Sequence, residues 1–142
     1  MAMTNVHGIV LHYYDKAKNN DKFYRAYYHE LPTGGYRVVF HYGRDGSNGQ
    51  KKPQTFTNAP YAQRIMTDKV WEKMHQGEKS YTKLGEGDVW VEPSMLDDLS
   101  YISDRLFALH GKPPNKTKGT GYSFIIIEQE LPEDLIARLM GL

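Results

Sequence analysis

The chain has no cysteine. That excludes a disulfide scaffold, a thiolate metal site and cysteine catalysis. Long apolar runs are also missing. The longest candidate is Phe124-Ile125-Ile126-Ile127, far short of the ~20 residues that span a bilayer, so no membrane partner is expected. The first residues, Met1-Ala2-Met3-Thr4-Asn5-Val6-His7-Gly8, form neither a basic stretch nor an apolar one. No secretory signal is expected there, and the default is an intracellular protein. Charge of one sign is not in excess, with 18 Lys and Arg against 17 Asp and Glu. Motifs of common catalysts are absent too. The glycines at 43, 46 and 49 do not match a dinucleotide Gly-x-Gly-x-x-Gly, and there is no Walker lysine and no Gly-x-Ser-x-Gly elbow. The six histidines, at 7, 12, 29, 41, 75 and 110, form no His-x-x-x-His or His-Glu-x-x-His pair. No metal, no cofactor and no enzymatic activity are expected.

What is present is a chain of 142 residues, the length of one domain or of one domain with an appendage. It is rich in tyrosine, with 11, a residue that suits sheet surfaces and stacking on flat ligands. Its charge is unevenly spread. Between Thr33 and Arg64 lie Arg37, Arg44, Lys51, Lys52 and Arg64, with Asp45 as the one acid. Between Gly85 and Asp104 lie Glu86, Asp88, Glu92, Asp97, Asp98 and Asp104, with no Lys or Arg. One region could face an anion and the other could not.

Period-two patterns rich in β-branched and aromatic residues predict strands over Gly8 to Tyr14, Phe23 to Leu31 and Tyr36 to Tyr42, with a short fourth at Gln54 to Thr57. Short connections between them argue for an antiparallel meander. In the third strand Tyr36, Val38, Phe40 and Tyr42 share one face, and Arg37, Val39 and His41 the other. Residues 43–50 form a dense turn signal. Asn58 reads as the cap of an amphipathic helix that carries Ala62, Met66, Val70 and Met74 inward, with a stop at Gly77. Val89-Trp90-Val91 reads as a short strand. Ser94 with Asp97 resembles a capping box before a helix built on Leu96, Leu99, Ile102, Leu106 and Leu109. Lys112 to Gly121 reads as a loop, Tyr122 to Glu128 as a strand, and the residues after Pro132 as a short helix. The expected class is α+β, with a sheet-and-helix domain over residues 1–82 and a helix-strand-helix extension over 83–142 that could dock on it as one unit.

One ordered set of residues carries a stronger signal. It runs Lys22-Phe23-Tyr24, Gly35-Tyr36-Arg37-Val38-Val39, Tyr42-Gly43-Arg44-Asp45-Gly46 and Gly49-Gln50, followed by the helix with Lys73 near its end. This order resembles the WGR domain, a module of DNA-dependent poly(ADP-ribose) polymerases and of assorted bacterial and phage proteins. The resemblance spans about residues 6–81. It implies a twisted antiparallel sheet with a helix across it, and DNA (or RNA) as partner. It also implies a bacterial cell or phage-infected host cytoplasm as location. The family's signature Trp, which lies against a nucleotide sugar and base, is Tyr42 here, and its Arg, which approaches the backbone, is Arg44. The position before Lys22, often Asn in the DNA-binding polymerases, is Asp21.

These roles have a physical basis. An aromatic face is a stacking platform, and a guanidinium grips phosphate bidentately. The glycines at 43, 46 and 49 could bring backbone N–H groups to the same anion or simply form the turn. The candidate nucleic-acid-binding residues are therefore Tyr42, Gly43 and Arg44, with Arg37, Lys51 and Lys52 steering. A bland alternative for Arg44 is an ion pair with the acidic stretch. The alternative function is a protein-interaction adaptor or inhibitor that uses the sheet or the acidic half. A weaker one is a hydrolase or transferase with a carboxylate site in residues 85–104.

Overall fold

A computed structural model of the chain describes residues 3–112. The predicted strand at Tyr122 to Glu128, the helix after Pro132 and all but the first residue of the Lys112 to Gly121 loop lie outside the described residues.

The described residues form a five-stranded antiparallel sheet with one helix on each face. The elements are β1 (Thr4–Asp15), β2 (Asn20–Glu30), β3 (Tyr36–Arg44), β4 (Gln50–Phe56), α1 (Ala59–Met74), β5 (Thr82–Val91) and α2 (Leu99–His110). The strand order is β4-β3-β2-β1-β5. The class is the expected α+β. Strands run longer than the sequence pattern predicts because each ladder extends into polar residues. The β1–β2 pairing, for example, runs unbroken from Val6↔His29 to Asp15↔Asn20.

Alternation across the pleat divides the core in two. Ile9, Leu11, Tyr24, Ala26, Val38 and Phe40 pack against Ala62, Met66 and Val70 of α1. Val6, Val10, Tyr27 and Val39 of the opposite face pack against Leu99, Ile102 and Leu106 of α2. Burial on both sides explains the near-continuous apolar run of β1, which a strand solvated on one face would not show. Asn58 caps α1 as expected, its side-chain oxygen accepting the Tyr61 N–H at 2.9 Å. The helix ends at Met74, before Gly77, with His75 as its cap.

Two features differ from the pattern reading. β5 is ten residues long, not three, and pairs with β1 from Thr4↔Val91 to His12↔Thr82. Its Gly85, Glu86, Gly87 and Asp88 have low strand propensity, which hides it in the sequence. The glycine has a packing reason. A Cβ at Gly85 would lie 2.7 Å from the His110 carbonyl oxygen, so only glycine lets the end of α2 lie this close. The strand starts at Thr82, so residues 83–91 complete the same sheet as residues 4–56.

The second difference is the start of α2. Pro93–Met95 form a single tight turn, and the helix begins only after Asp98, whose carboxylate accepts the Tyr101 N–H at 3.0 Å. Ser94 is not the cap. Asp97, its supposed partner, instead binds Arg37 at 2.9 Å. Among the described residues no helix is long and apolar enough to cross a membrane.

The capping assignment is testable by denaturation. Asp98→Ala is expected to cost about 0.5–2 kcal/mol, whereas Ser94→Ala should stay within about 0.5 kcal/mol of the parent. The reverse ranking of urea midpoints would move the helix start back to Ser94.

Candidate functional site

The β2–β3 ladder pairs Tyr24 with Tyr42 and Lys22 with Arg44. Directly opposed residues share a face, so both pairs project on the α1 side of the sheet. The Tyr24 and Tyr42 rings stack with centroids 5.3 Å apart and planes 13° from parallel. Tyr24 is buried and Tyr42 half-buried, so the inner ring backs the outer one and Tyr42 keeps access to solvent. The Tyr42 hydroxyl donates to Gln50 Oε1 at 3.4 Å.

Arg44 is exposed at the end of β3. It is tied to Asn19 in the β1–β2 turn. Nη1 donates to the Asn19 carbonyl at 3.0 Å and Nη2 to its side-chain oxygen at 3.2 Å. Asn19 has φ +53°, the one non-glycine residue with positive φ among those described. Asn tolerates that left-handed conformation better than most residues, and here it turns both oxygens towards one guanidinium. A guanidinium has five N–H groups. Asn19 uses one from each terminal nitrogen, which leaves the rest for an anion.

The β3–β4 loop is shaped by close backbone approach. Gly49 has φ +68°, and a Cβ there would stand 2.6 Å from the Tyr42 carbonyl oxygen. A Cβ at Gly43 would stand 2.8 Å from the Gly49 Cα. These glycines form the turn. The N–H groups of Asp45 and Ser47 are engaged by the carbonyls of Asp21 and Arg44, so they are not turned to a ligand.

The six expected residues divide between the two faces. Tyr42, Gly43 and Arg44 adjoin one another, and Lys52, paired with Phe40, lies on the Tyr42 face. Lys51 pairs with His41 and belongs to the opposite face. Arg37 is also on that face and near the far end of β3, about 17 Å along the strand from Tyr42. It donates from Nε to His29 Nε2 at 3.2 Å and from Nη2 to Asp97 at 2.9 Å. The ion pair with the acidic stretch thus falls to Arg37, not Arg44, and Arg37 is not part of the Tyr42 surface. Asp21 points away as well, its carboxylate accepting from His12 Nε2 at 2.6 Å on the α2 side. Two other acids of the 85–104 stretch have structural partners. Glu86 and Asp88 bracket His7 at 3.1 and 3.0 Å. Among the described residues no group of three or more His, Asp or Glu could hold a metal ion.

Sequence reasoning missed part of the Tyr42 surroundings. A cavity of about 360 Å³ opens beside this ring between α1 and β4. Lys69 and Lys73 of α1 join Lys52 on its lining, together with Gln54 and Tyr81. The i, i+4 spacing of Lys69 and Lys73, which puts both on one helix face, was the signal available. Tyr81 is held there because its N–H donates to the Lys73 carbonyl at 2.8 Å. Lys73 Nζ lies 5.1 Å from the Tyr24 ring centroid, within cation–π range. Lys69 carries one carboxylate, Glu72, at 2.9 Å, and this hydrogen bond holds the Glu72 carboxyl below its usual range. Burial pushes the Tyr24 phenol well up, with Tyr42 and Glu72 adding to the effect. Burial also raises Tyr81. Both phenols therefore stay neutral at physiological pH. Among the described residues a depression of about 650 Å³ lies at the other end of the β3–β4 hairpin, with no charged side chain in its lining. The arrangement around Tyr42 can hold a flat ring and an anion side by side.

His41 anchors the loop from below. Its Nε2–H donates to the Asn48 carbonyl at 2.6 Å, and burial lowers its pKa below the ordinary histidine value. Burial likewise lowers His29. As pH falls through about 6.5 the unfolded chain takes up these protons first. The stability from the neutral rings is complete above that pH and is lost as the pH falls towards the folded pKa values. Melting temperature is expected to drop between pH 7.5 and 5.5, and to drop less in His41→Gln. An equal drop in both proteins would show that His41 does not titrate in this window.

No curated protein matches the chain. The family model for the WGR domain matches residues 8–86, more than half of the sequence. That span contains most of β1, all of β2 to β4 and α1, and the first half of β5, and with it Tyr42-Gly43-Arg44 at the mouth of the hairpin. The chain belongs to the WGR domain family.

Proposed function

We propose that this protein is a non-enzymatic DNA-binding module in which Tyr42 stacks on the nucleic acid and Arg44 holds a backbone phosphate. Family membership supports the nucleic-acid part of this reading, because the WGR domain is a nucleic-acid-binding module. The observation that carries the residue roles is the pairing of a backed, solvent-facing ring with an exposed guanidinium already oriented by Asn19. Stacking on such a ring contributes roughly 1–3 kcal/mol per base in other proteins. The phosphate contact supplies register and salt-dependent affinity. Orientation by Asn19 reduces the side-chain entropy that Arg44 would otherwise lose on binding. Lys52 adds charge on the same face, whereas Arg37 and Lys51 contribute only to the field of the whole domain.

A second reading, a protein-interaction adaptor, is favoured by Trp71 and Trp90, which are 64% and 55% exposed. Aromatic residues of this kind are enriched at protein interfaces.

Titration of a fluorescein-labelled DNA by anisotropy separates the two. Arg44→Ala is expected to weaken binding several-fold with a nearly unchanged melting temperature, and wild-type affinity should fall steeply between low and physiological salt. Equal binding by the variant would remove Arg44 from the site. Salt-insensitive capture of a protein partner without DNA binding would favour the adaptor.

A further inference from the structure

The geometry points to the cavity between α1 and β4 as a seat for one unpaired nucleotide, so that this domain prefers DNA carrying a single-stranded segment to blunt duplex. The inference rests on the DNA-binding reading and deepens it by naming the form of DNA.

The cavity has the three kinds of group that a nucleotide requires. Tyr42 and Tyr81 supply aromatic walls, both partly open to solvent. Gln54 supplies a side-chain amide, a donor and acceptor suited to the edge of a base. Lys52, Lys69 and Lys73 surround the opening with positive charge. Its volume of about 360 Å³ is at the small end of the ~300–1,000 Å³ typical of ligand pockets. In a duplex the base faces are covered by neighbours, except the outer face of a terminal pair, and the pairing edges are covered everywhere by the opposite strand. Aromatic walls and an amide inside a small cavity can act only on a base that is already unpaired or has been turned out of its stack. Turning one out costs energy that a single-stranded segment does not demand.

The position of the cavity fits a continuous strand. Tyr42 belongs to both the cavity and the hairpin mouth. A nucleotide seated against Tyr42 would leave its neighbour's phosphate on the Arg44 side and its own on the α1 lysines. Among the described residues Glu72, bound to Lys69, is the carboxylate at this rim that a phosphate would have to displace. Glu72 is exposed and Lys69 half-buried on the helix, and the interaction is readily screened.

The test compares a blunt duplex with the same duplex bearing a short single-stranded tail that contains 2-aminopurine. Wild-type protein is expected to bind the tailed DNA about tenfold more tightly, the equivalent of one stacked base, and to change the 2-aminopurine fluorescence. The Lys69→Ala/Lys73→Ala double variant should lose most of that preference and lower the salt slope by about 1.4, with its melting temperature retained. Gln54→Ala should reduce the preference without changing the slope. Equal affinity for blunt and tailed DNA, with Arg44→Ala still weakening both, overturns the nucleotide seat and leaves the DNA-binding reading intact. Binding of a free nucleoside monophosphate as tight as that of the tailed duplex overturns the strand assignment. Failure of the wild type to bind either DNA overturns the underlying reading itself.

Discussion

The register of the β2–β3 ladder is the constraint on which the rest depends. It opposes Tyr24 to Tyr42 and Lys22 to Arg44, and a strand has a side-chain period of two. A slip of one residue would send Tyr42 and Arg44 to the α2 side and expose the apolar set beneath them. The apolar residues pin the register. Val38 and Phe40 must face α1, while Val39 must face α2. Burial on both sides leaves no second pairing of comparable stability. The half-buried ring and the exposed guanidinium are therefore held in place by core residues on either face of the sheet.

The same periodicity explains why basic residues close in sequence do different work. Arg37 and Arg44 lie on one strand, and Lys51 and Lys52 are adjacent, yet each pair is split between faces. On the α2 side Arg37 joins His29 and Asp97 and ties β3 to the residue just before the Asp98 cap of α2. On the α1 side Lys52 meets two helix lysines from outside the basic stretch. The sequence shows a run of positive charge. The folded chain shows a smaller set drawn from β4 and α1.

Much of this architecture was legible. The first four strands, the Asn58 cap and the inward face of α1 follow from period and capping alone, and the Tyr42-Gly43-Arg44 order led to the family. Of β5 only the Val89–Val91 end was legible, because Gly85 and Gly87 are fitted to the approach of α2 rather than to strand propensity. The start of α2 was misplaced because Ser94 and Asp98 are both good caps, and tertiary packing chose between them. Within the site, Tyr42 and Arg44 were readable from the motif. Asn19 was not, because its role needs a positive φ and a contact 25 positions away in the chain. Lys69 was not singled out, and Lys73 entered only as the end of the helix in the motif order. Only the crossing of α1 over β3 and β4 makes them neighbours of an aromatic ring.

Among the described residues β4 is the outermost strand on one side of the sheet, and it carries Lys51, Lys52 and Pro53 in succession. An uncovered strand offers its backbone to any other strand that drifts past, and lysine and proline are the usual deterrents. On the proposed reading, the charge that would draw a polyanion also discourages copies of the protein from zipping together edge to edge. Neutralising Lys52 would then relax nucleic-acid affinity and weaken this guard together, and the second loss would be felt as poorer solubility.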